Sequence, residues 1–131
     1  MIPGLENAEF MRYGVMHRNT FINSPKMLNR NLSLKADKNI FIAGQLSGVE
    51  GYMESAASGI IAGINAAAEI TGEKPLVLPE TTMTGALLSY ITNPLTENFQ
   101  PMGANFGIIP PLETHIRDKR ERYAALAARA L

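Results

Sequence analysis

The most constraining feature of this sequence is a continuous apolar run that leads into a glycine-rich turn. Residues 40–43 read Ile-Phe-Ile-Ala, and Asn39 and Gly44 bound them. A short apolar run without alternation predicts a central β-strand that is covered on both faces. In the turn that follows, residues 44–51, three glycines let the backbone adopt positive φ and approach a ligand closely.

A long helix is predicted immediately after the turn. It begins near Gly51 or Tyr52 and ends near Thr71, where Gly72 supplies a C-terminal stop. Three isoleucines are expected to form its apolar face, and a small residue recurs at every fourth position on another side, which permits close packing against a sheet or a cofactor. The isoleucines are Ile60, Ile61 and Ile64, and the small residues are Ser55, Gly59, Gly63 and Ala67.

The flanking segments are predicted to contain shorter elements. Before the apolar run, residues 13–22 suit one or two short strands, Pro25 interrupts them, and residues 29–39 are typical of a loop. After the long helix we predict a short helix over residues 83–91, which Thr81 or Thr82 caps and Asn93 and Pro94 end. An irregular segment is predicted over residues 99–111. A final helix is predicted from about His115 to the end.

Composition and charge exclude several classes of protein. The 131 residues contain no cysteine, which excludes disulfides, thiolate metal sites and a cysteine nucleophile. The zero net charge gives no overall electrostatic case for nucleic acid, and no apolar run is long enough to span a membrane. The first residues lack the features of a signal peptide, so we expect a cytoplasmic protein with no membrane partner.

The turn offers the groups that a phosphate-bearing cofactor needs. Unpaired N–H groups at the start of the following helix favour an anion such as phosphate. Gln45 supplies a donor and an acceptor for the edge of an isoalloxazine or pyrimidine ring. Because the glycine spacing differs from the usual dinucleotide-binding fingerprint, cofactor contact and a plain tight turn stay equally open on spacing alone.

Other polar residues have simpler interpretations. Glu50 and Glu54 lie one helical turn apart and can act as an acid–base pair, but acids at a helix N-terminus also stabilise the helix dipole, and that interpretation is favoured. His17 is interpreted as a structural residue, and no metal site is predicted. A cluster of cations near the C-terminus suits either a phosphate-backbone contact or, as charge alone favours, a solvated helix face. The cations are Arg117, Lys119, Arg120, Arg122 and Arg129.

Segments along the whole chain resemble the C-terminal part of the folate- and FAD-dependent tRNA (uracil-5-)-methyltransferases, a flavoprotein family. The related flavoproteins that modify the tRNA wobble uridine have Thr-Thr where this turn has Val49 and Glu50, which favours the methyltransferases. The matching segments lie at residues 3–9, 14–19, 44–45, 48–52, 54–57, 62–67, 98–102, 105–107 and 116–123.

The resemblance implies a fold and a reaction. The fold is α/β, with this chain as the C-terminal portion of a Rossmann-like FAD-binding domain: central strand, glycine turn, long helix and helical tail. Residues 1–75 would form the flavin-contacting part, and residues 76–131 a C-terminal extension with two helices. In the intact enzyme, FAD reduced by NAD(P)H would take part in moving one carbon from methylenetetrahydrofolate to C5 of a uridine in the tRNA TΨC loop, forming ribothymidine.

Two features of that family are absent, namely its N-terminal Gly-x-Gly-x-x-Gly motif and its catalytic cysteines. We therefore expect a fragment that is inactive alone and that shares FAD with a missing N-terminal FAD- and NAD(P)-binding part. Exposed sheet edges would favour self-association, so a homo-oligomer is a further expectation. The alternatives are a non-catalytic, self-associating module and a segment of the wobble-uridine flavoprotein.

The resemblance also assigns residues to the cofactor. The turn would line the flavin ring and its ribityl–phosphate region, and Tyr52 would pack beside the turn. Glu50 is a weaker candidate for a role facing the flavin or the substrate. Arg18 and the arginines of the tail are candidate tRNA contacts, and no catalytic residue is assigned. The candidate cofactor-binding residues are Gly44, Gln45, Gly48, Val49, Glu50, Gly51 and Tyr52.

Overall fold

The computed structural model describes residues 2–11, 14 and 19–131. Its regular structure consists of helices and one turn of 3-10 helix. In chain order these are α1 (Ser24–Met27), the 3-10 turn (Gly44–Ser47), α2 (Tyr52–Thr71), α3 (Met83–Thr92) and α4 (Lys119–Arg129). Helix α2 is the longest, with 20 residues, and both the 3-10 turn and α3 pack against it.

Two of the predicted helices are confirmed at their ends. Helix α2 ends at Gly72, whose φ of 74° is the left-handed conformation typical of a glycine stop. Helix α3 begins after Thr82, because the Thr82 hydroxyl accepts a hydrogen bond of 3.0 Å from the Gly85 amide and so caps the first turn.

The other helices differ from the predictions. Helix α4 begins at Lys119 rather than near His115, because the Asp118 carboxylate accepts from the Glu121 amide at 2.8 Å and fixes the N-terminus there. Helix α1 was not predicted. Pro25, interpreted as a break, lies within its first turn, where a missing N–H and a fixed φ cost nothing.

The segment at residues 40–43 is extended, but it is not the strand that was predicted. Phe41 forms a single antiparallel bridge with Ser33, and the Ile42 amide donates to the Leu32 carbonyl at 3.0 Å. Ile40 remains 47% exposed, as expected of a segment whose sheet partners would come from a missing part of the protein, so cover on both faces stays a prediction for the longer protein. Within the described ranges the structure contains isolated bridges and no sheet, because no neighbouring strand pairs with this segment.

The main core lies between α2, α3 and the segments before and after them. Leu28 and Leu32 are fully buried, although residues 29–39 were predicted to be a polar loop, and Leu32 adopts a positive φ of 68°. The buried members are Leu28, Leu32, Val49, Ile61, Ala62, Leu87, Leu88, Ile91 and Phe99. This one cluster therefore joins residues from both predicted parts of the chain.

Helix α4 packs over a second, smaller cluster formed by Ala86, Ile109 and Leu126. Within this helix Leu126 is buried and Tyr123 is partly buried, whereas Ala127 is exposed. None of the helices in the described part of the chain is long and apolar enough to cross a lipid bilayer. The strands predicted within residues 13–22 fall largely on residues 13 and 15–18, which lie outside the described residues, as do His17 and Arg18.

Candidate functional site

A cleft of about 740 Å³ opens beside the glycine turn, at the N-terminus of α2. Its volume falls in the range of roughly 300–1,000 Å³ that is typical of ligand pockets. Five of the seven predicted cofactor-binding residues line it, and Gly44 and Gly48 do not. The lining residues are Asn19, Gln45, Val49, Glu50, Gly51, Tyr52 and Ser55.

Buried serines determine the shape of the turn. The Gly44 amide donates a hydrogen bond of 2.9 Å to the Ser58 hydroxyl, which itself donates to the Ser55 carbonyl at 2.8 Å. The Ser47 hydroxyl donates to the Gly44 carbonyl at 2.7 Å, and the Ser24 hydroxyl donates to the Ser47 carbonyl at 2.7 Å. Because Ser24, Ser47 and Ser58 are fully buried, these bonds are shielded from water and join the turn to α1 and α2.

Gly48 has a structural role in this turn. It adopts the left-handed conformation, with φ of 84°, and a Cβ atom built there would overlap the ring of Phe99. Gly48 therefore faces the core. Gly44 also has a positive φ, 64°, but a Cβ atom there would make only ordinary contacts with Ser55.

The chain leaving the turn is paired with the irregular segment that follows α3. Val49 forms a parallel bridge with Met102, the Glu50 amide donates to the Met102 carbonyl at 3.0 Å, and the Met102 amide donates to the Gly48 carbonyl at 3.0 Å. The Val49 side chain is fully buried in the main core. These contacts fix the wall of the cleft and leave the Glu50 side chain exposed.

The start of α2 suits an anionic group. Its N-cap residue is Gly51, which has no side chain to accept from the first-turn amides. The Glu54 carboxylate lies close to Gly51, as the dipole interpretation of this acid predicts. Tyr52 lines the cleft and is 97% exposed, so its ring is uncovered in this chain and its packing beside the turn stays a prediction.

Polar groups that can recognise a ring edge also face the cleft. Gln45 is exposed, and its side-chain amide makes no hydrogen bond with another described residue, so its donor and acceptor are both available. Asn19 and Ser55 line the cleft as well, although the sequence did not assign them to it. Ser55 could have been found from its position one helical turn after Gly51.

The outward face of α2 is apolar along its whole length. Gly59 and Gly63 have open space where a Cβ would lie, so the stripe of small residues is uncovered. Ile61 is buried as predicted, but Ile60 is 64% exposed and Ile64 also faces outward. An ordinary surface helix carries charged residues on its solvent side, whereas the exposed acid of α2, Glu69, lies outside this face. Its exposed residues are Tyr52, Met53, Ala56, Gly59, Ile60, Gly63, Ile64, Ala67 and Ile70.

Across the residues that the structure describes, no group of three or more His, Asp and Glu side chains converges in a way that could bind a metal ion. The described residues that line the cleft offer amides, hydroxyls, one carboxylate and a helix N-terminus. These groups bind and orient a ligand.

Comparison with known proteins assigns this sequence to a family. The sequence model of the family described as Glucose inhibited division protein A matches residues 1–74, which include the turn, the cleft-lining residues and all of α2. The chain belongs to that family. The residues after 74, which include α3 and α4, lie beyond the match.

Curated relatives match the chain over its full length. A protein of Halalkalibacterium halodurans is 58% identical over 131 residues, and one of Bacillus cytotoxicus is 60% identical over 131 residues. A protein of Streptococcus agalactiae is 59% identical over 132 residues. Each is named methylenetetrahydrofolate–tRNA-(uracil-5-)-methyltransferase TrmFO, and the chain spans 30% of the length of each.

Proposed function

We propose that this chain is the C-terminal, flavin-contacting segment of a methylenetetrahydrofolate- and FAD-dependent tRNA (uracil-5-)-methyltransferase. The observation that carries the proposal is the cleft beside the glycine turn, in a chain that is 58–60% identical over its whole length to relatives with that name. Because the chain spans 30% of those relatives, the complete reaction requires a longer protein.

The residues around the cleft fit one end of a flavin. The side-chain amide of Gln45 can both donate to and accept from the edge of a ring that carries carbonyl and N–H groups. The first turn of α2 has no side-chain cap, but the Glu54 carboxylate lies over Gly51, so a phosphate would have to displace this acid to reach the first-turn amides. When bound, FAD supplies the redox chemistry, with NAD(P)H as its reductant. This chain's residues would bind and orient the cofactor.

The outward face of α2 supports a docking surface for the remainder of the FAD-binding domain. This face starts at the cleft and continues for the length of the helix, so a partner seated on it would also close the cleft. A contiguous apolar surface of this kind marks an interface. The remainder of the domain is the proposed partner, and a second copy of this chain is the competing occupant.

Substrates of the complete protein follow from the same proposal. The intact enzyme would transfer one carbon from methylenetetrahydrofolate to C5 of a uridine in the tRNA TΨC loop, and this chain alone would be inactive. The sequence model of the family alone does not separate this reaction from that of the wobble-uridine flavoproteins. The names of the full-length relatives favour the methyltransferase.

The test is FAD binding by the chain mixed with the portion of the Halalkalibacterium halodurans relative that it does not match. We expect the mixture to quench FAD fluorescence and the isolated chain to bind FAD weakly. Gln45→Leu should weaken binding by about tenfold, because a pair of ring-edge hydrogen bonds is lost.

The matched control is Gln100→Leu, since Gln100 is also exposed and does not line the cleft. It should bind FAD with the affinity of the parent mixture. Equal affinity in both variants would refute the assignment of Gln45, and no FAD binding by the mixture would refute the proposed function.

A further inference from the structure

We propose that residues 117–122, at the start of α4, form a contact surface for the phosphate backbone of the RNA substrate. The inference rests on the proposed function, because that function makes RNA the partner. The segment lies beyond the family match at residues 1–74, and it is separate from the cleft beside the glycine turn.

This surface carries a local excess of positive charge. Residues 117–122 carry four cations and two carboxylates in a chain whose net charge is zero. Arg117, Lys119 and Arg120 are exposed, and none of them forms an ion pair with a described acid. The Asp118 carboxylate is engaged in capping the helix. The Lys119 ammonium and the Arg122 guanidinium lie 5.5 and 5.7 Å from the centre of the Tyr123 ring, and the exposed N–H groups of Arg117, Lys119 and Arg120 remain open to a partner of opposite charge.

Two of the cations lie where they work against the stability of the helix. Lys119 and Arg120 are the first two residues of α4, next to the positive end of its dipole, where acids are stabilising and cations are not. Neither has a carboxylate three or four residues further along the helix to offset this, although the Tyr123 ring, 5.5 Å from the Lys119 ammonium, offsets it in part for Lys119. A local conflict of this kind is expected at functional sites, where the binding of a partner compensates for it.

The surface is also firmly mounted. Leu126 is buried against Ala86 and Ile109, and the ring of Tyr123 stacks on Phe106 with centroids 4.1 Å apart. The Arg129 guanidinium donates to the Pro111 carbonyl at 2.8 Å and also to the Pro110 carbonyl. Because the middle and the C-terminal end of α4 are attached to the body, the backbone positions of the cations at its start are held on a rigid helix, as phosphate contacts require.

The test is binding of an unmodified tRNA transcript to the 131-residue chain, measured by fluorescence anisotropy between about 50 and 200 mM salt. In the double variant Lys119→Glu, Arg120→Glu, we expect affinity at low salt to fall about tenfold or more and the slope of log K against log salt to become shallower by about two. The midpoint temperature of thermal unfolding should rise by a few degrees, because acids replace cations at the helix N-terminus.

The matched control is Lys26→Glu, Lys74→Glu, which makes the same change in net charge at exposed positions away from α4. Its tRNA affinity should fall much less. An equal loss in both double variants, no loss in the α4 variant, or no salt-dependent binding by the parent chain would overturn the inference. FAD binding by the mixed protein should be unchanged in the α4 variant, so a failure of the flavin proposal is seen separately.

Discussion

The Gly44 amide and the Ser58 hydroxyl form a hydrogen bond of 2.9 Å that joins the glycine turn to α2 across fourteen residues of sequence. Ser58 is fully buried, so removing its oxygen leaves the amide without a partner and away from water. Ser58→Ala should therefore lower the free energy of unfolding by about 1–3 kcal/mol in urea titrations. Ser89→Ala, which removes an exposed bond to Glu80, is the control and should have an effect smaller than about 0.5 kcal/mol. Equal effects would mean that the buried serine does not stabilise the turn.

Asn65 connects α2 to two other segments. Its amide nitrogen donates to the carbonyls of Asn31 and Leu76, and its oxygen accepts from the Leu76 amide at 2.6 Å. Asn65→Leu leaves these groups unpaired and should lower the free energy of unfolding by about 2 kcal/mol or more. Asn98→Leu, at an exposed position, should be nearly neutral in the same denaturant titration. A neutral Asn65→Leu would contradict the role of this side chain.

Glycines of the turn and of α2 should respond to alanine with opposite signs. Gly48→Ala adds a Cβ that overlaps Phe99 at a left-handed φ, and it should destabilise the chain by about 2 kcal/mol or more. Gly59→Ala meets open space in a helix and should stabilise the isolated chain by about 0.5–1 kcal/mol. Thermal and urea unfolding of the two variants provide the comparison. If both variants lose stability, Gly59 does not face open space in the isolated chain, and this account of α2 is wrong.

The outward face of α2 should matter for assembly and much less for folding. Ile60→Lys introduces a charge at an exposed position, so the free energy of unfolding of the isolated chain should change by less than about 0.5 kcal/mol. The affinity of the variant for the unmatched portion of the relative, measured by analytical ultracentrifugation, should fall by at least about tenfold.

Leu95→Lys is the matched control, because Leu95 is equally apolar and exposed but lies outside α2. It should assemble like the parent chain. If Ile60→Lys leaves assembly intact and instead abolishes self-association of the isolated chain, the occupant of this face is a second copy.

The sequence predicted the parts of this structure that are determined locally. The ends of α2 and α3 follow from Gly72 and Thr82, which act within a few residues of their own positions. Five cofactor-binding candidates line one cleft because a glycine turn followed by a helix determines its own geometry. Asp118 shows the limit of this reasoning: it can be recognised as a cap in the sequence, yet hydrophobic spacing began the last helix four residues early.

The remaining differences depend on contacts that are distant in sequence. Leu32 is buried by chain that comes after it, so a polar stretch around it does not indicate its burial. Gly48 appeared to be a ligand-facing glycine, and only the approach of Phe99 gives it a structural role. The strand predicted at residues 40–43 needs neighbouring strands, and none pairs with it among the described residues.

The most direct test is a crystal structure of this chain assembled with the unmatched portion of its relative and FAD. Our account predicts that the flavin ring lies in the cleft beside residues 44–52, with the Gln45 side chain at about 3 Å from its polar edge. It also predicts that the outward face of α2 is covered by the partner. A structure in which FAD is bound and contacts no residue of this turn would contradict the account.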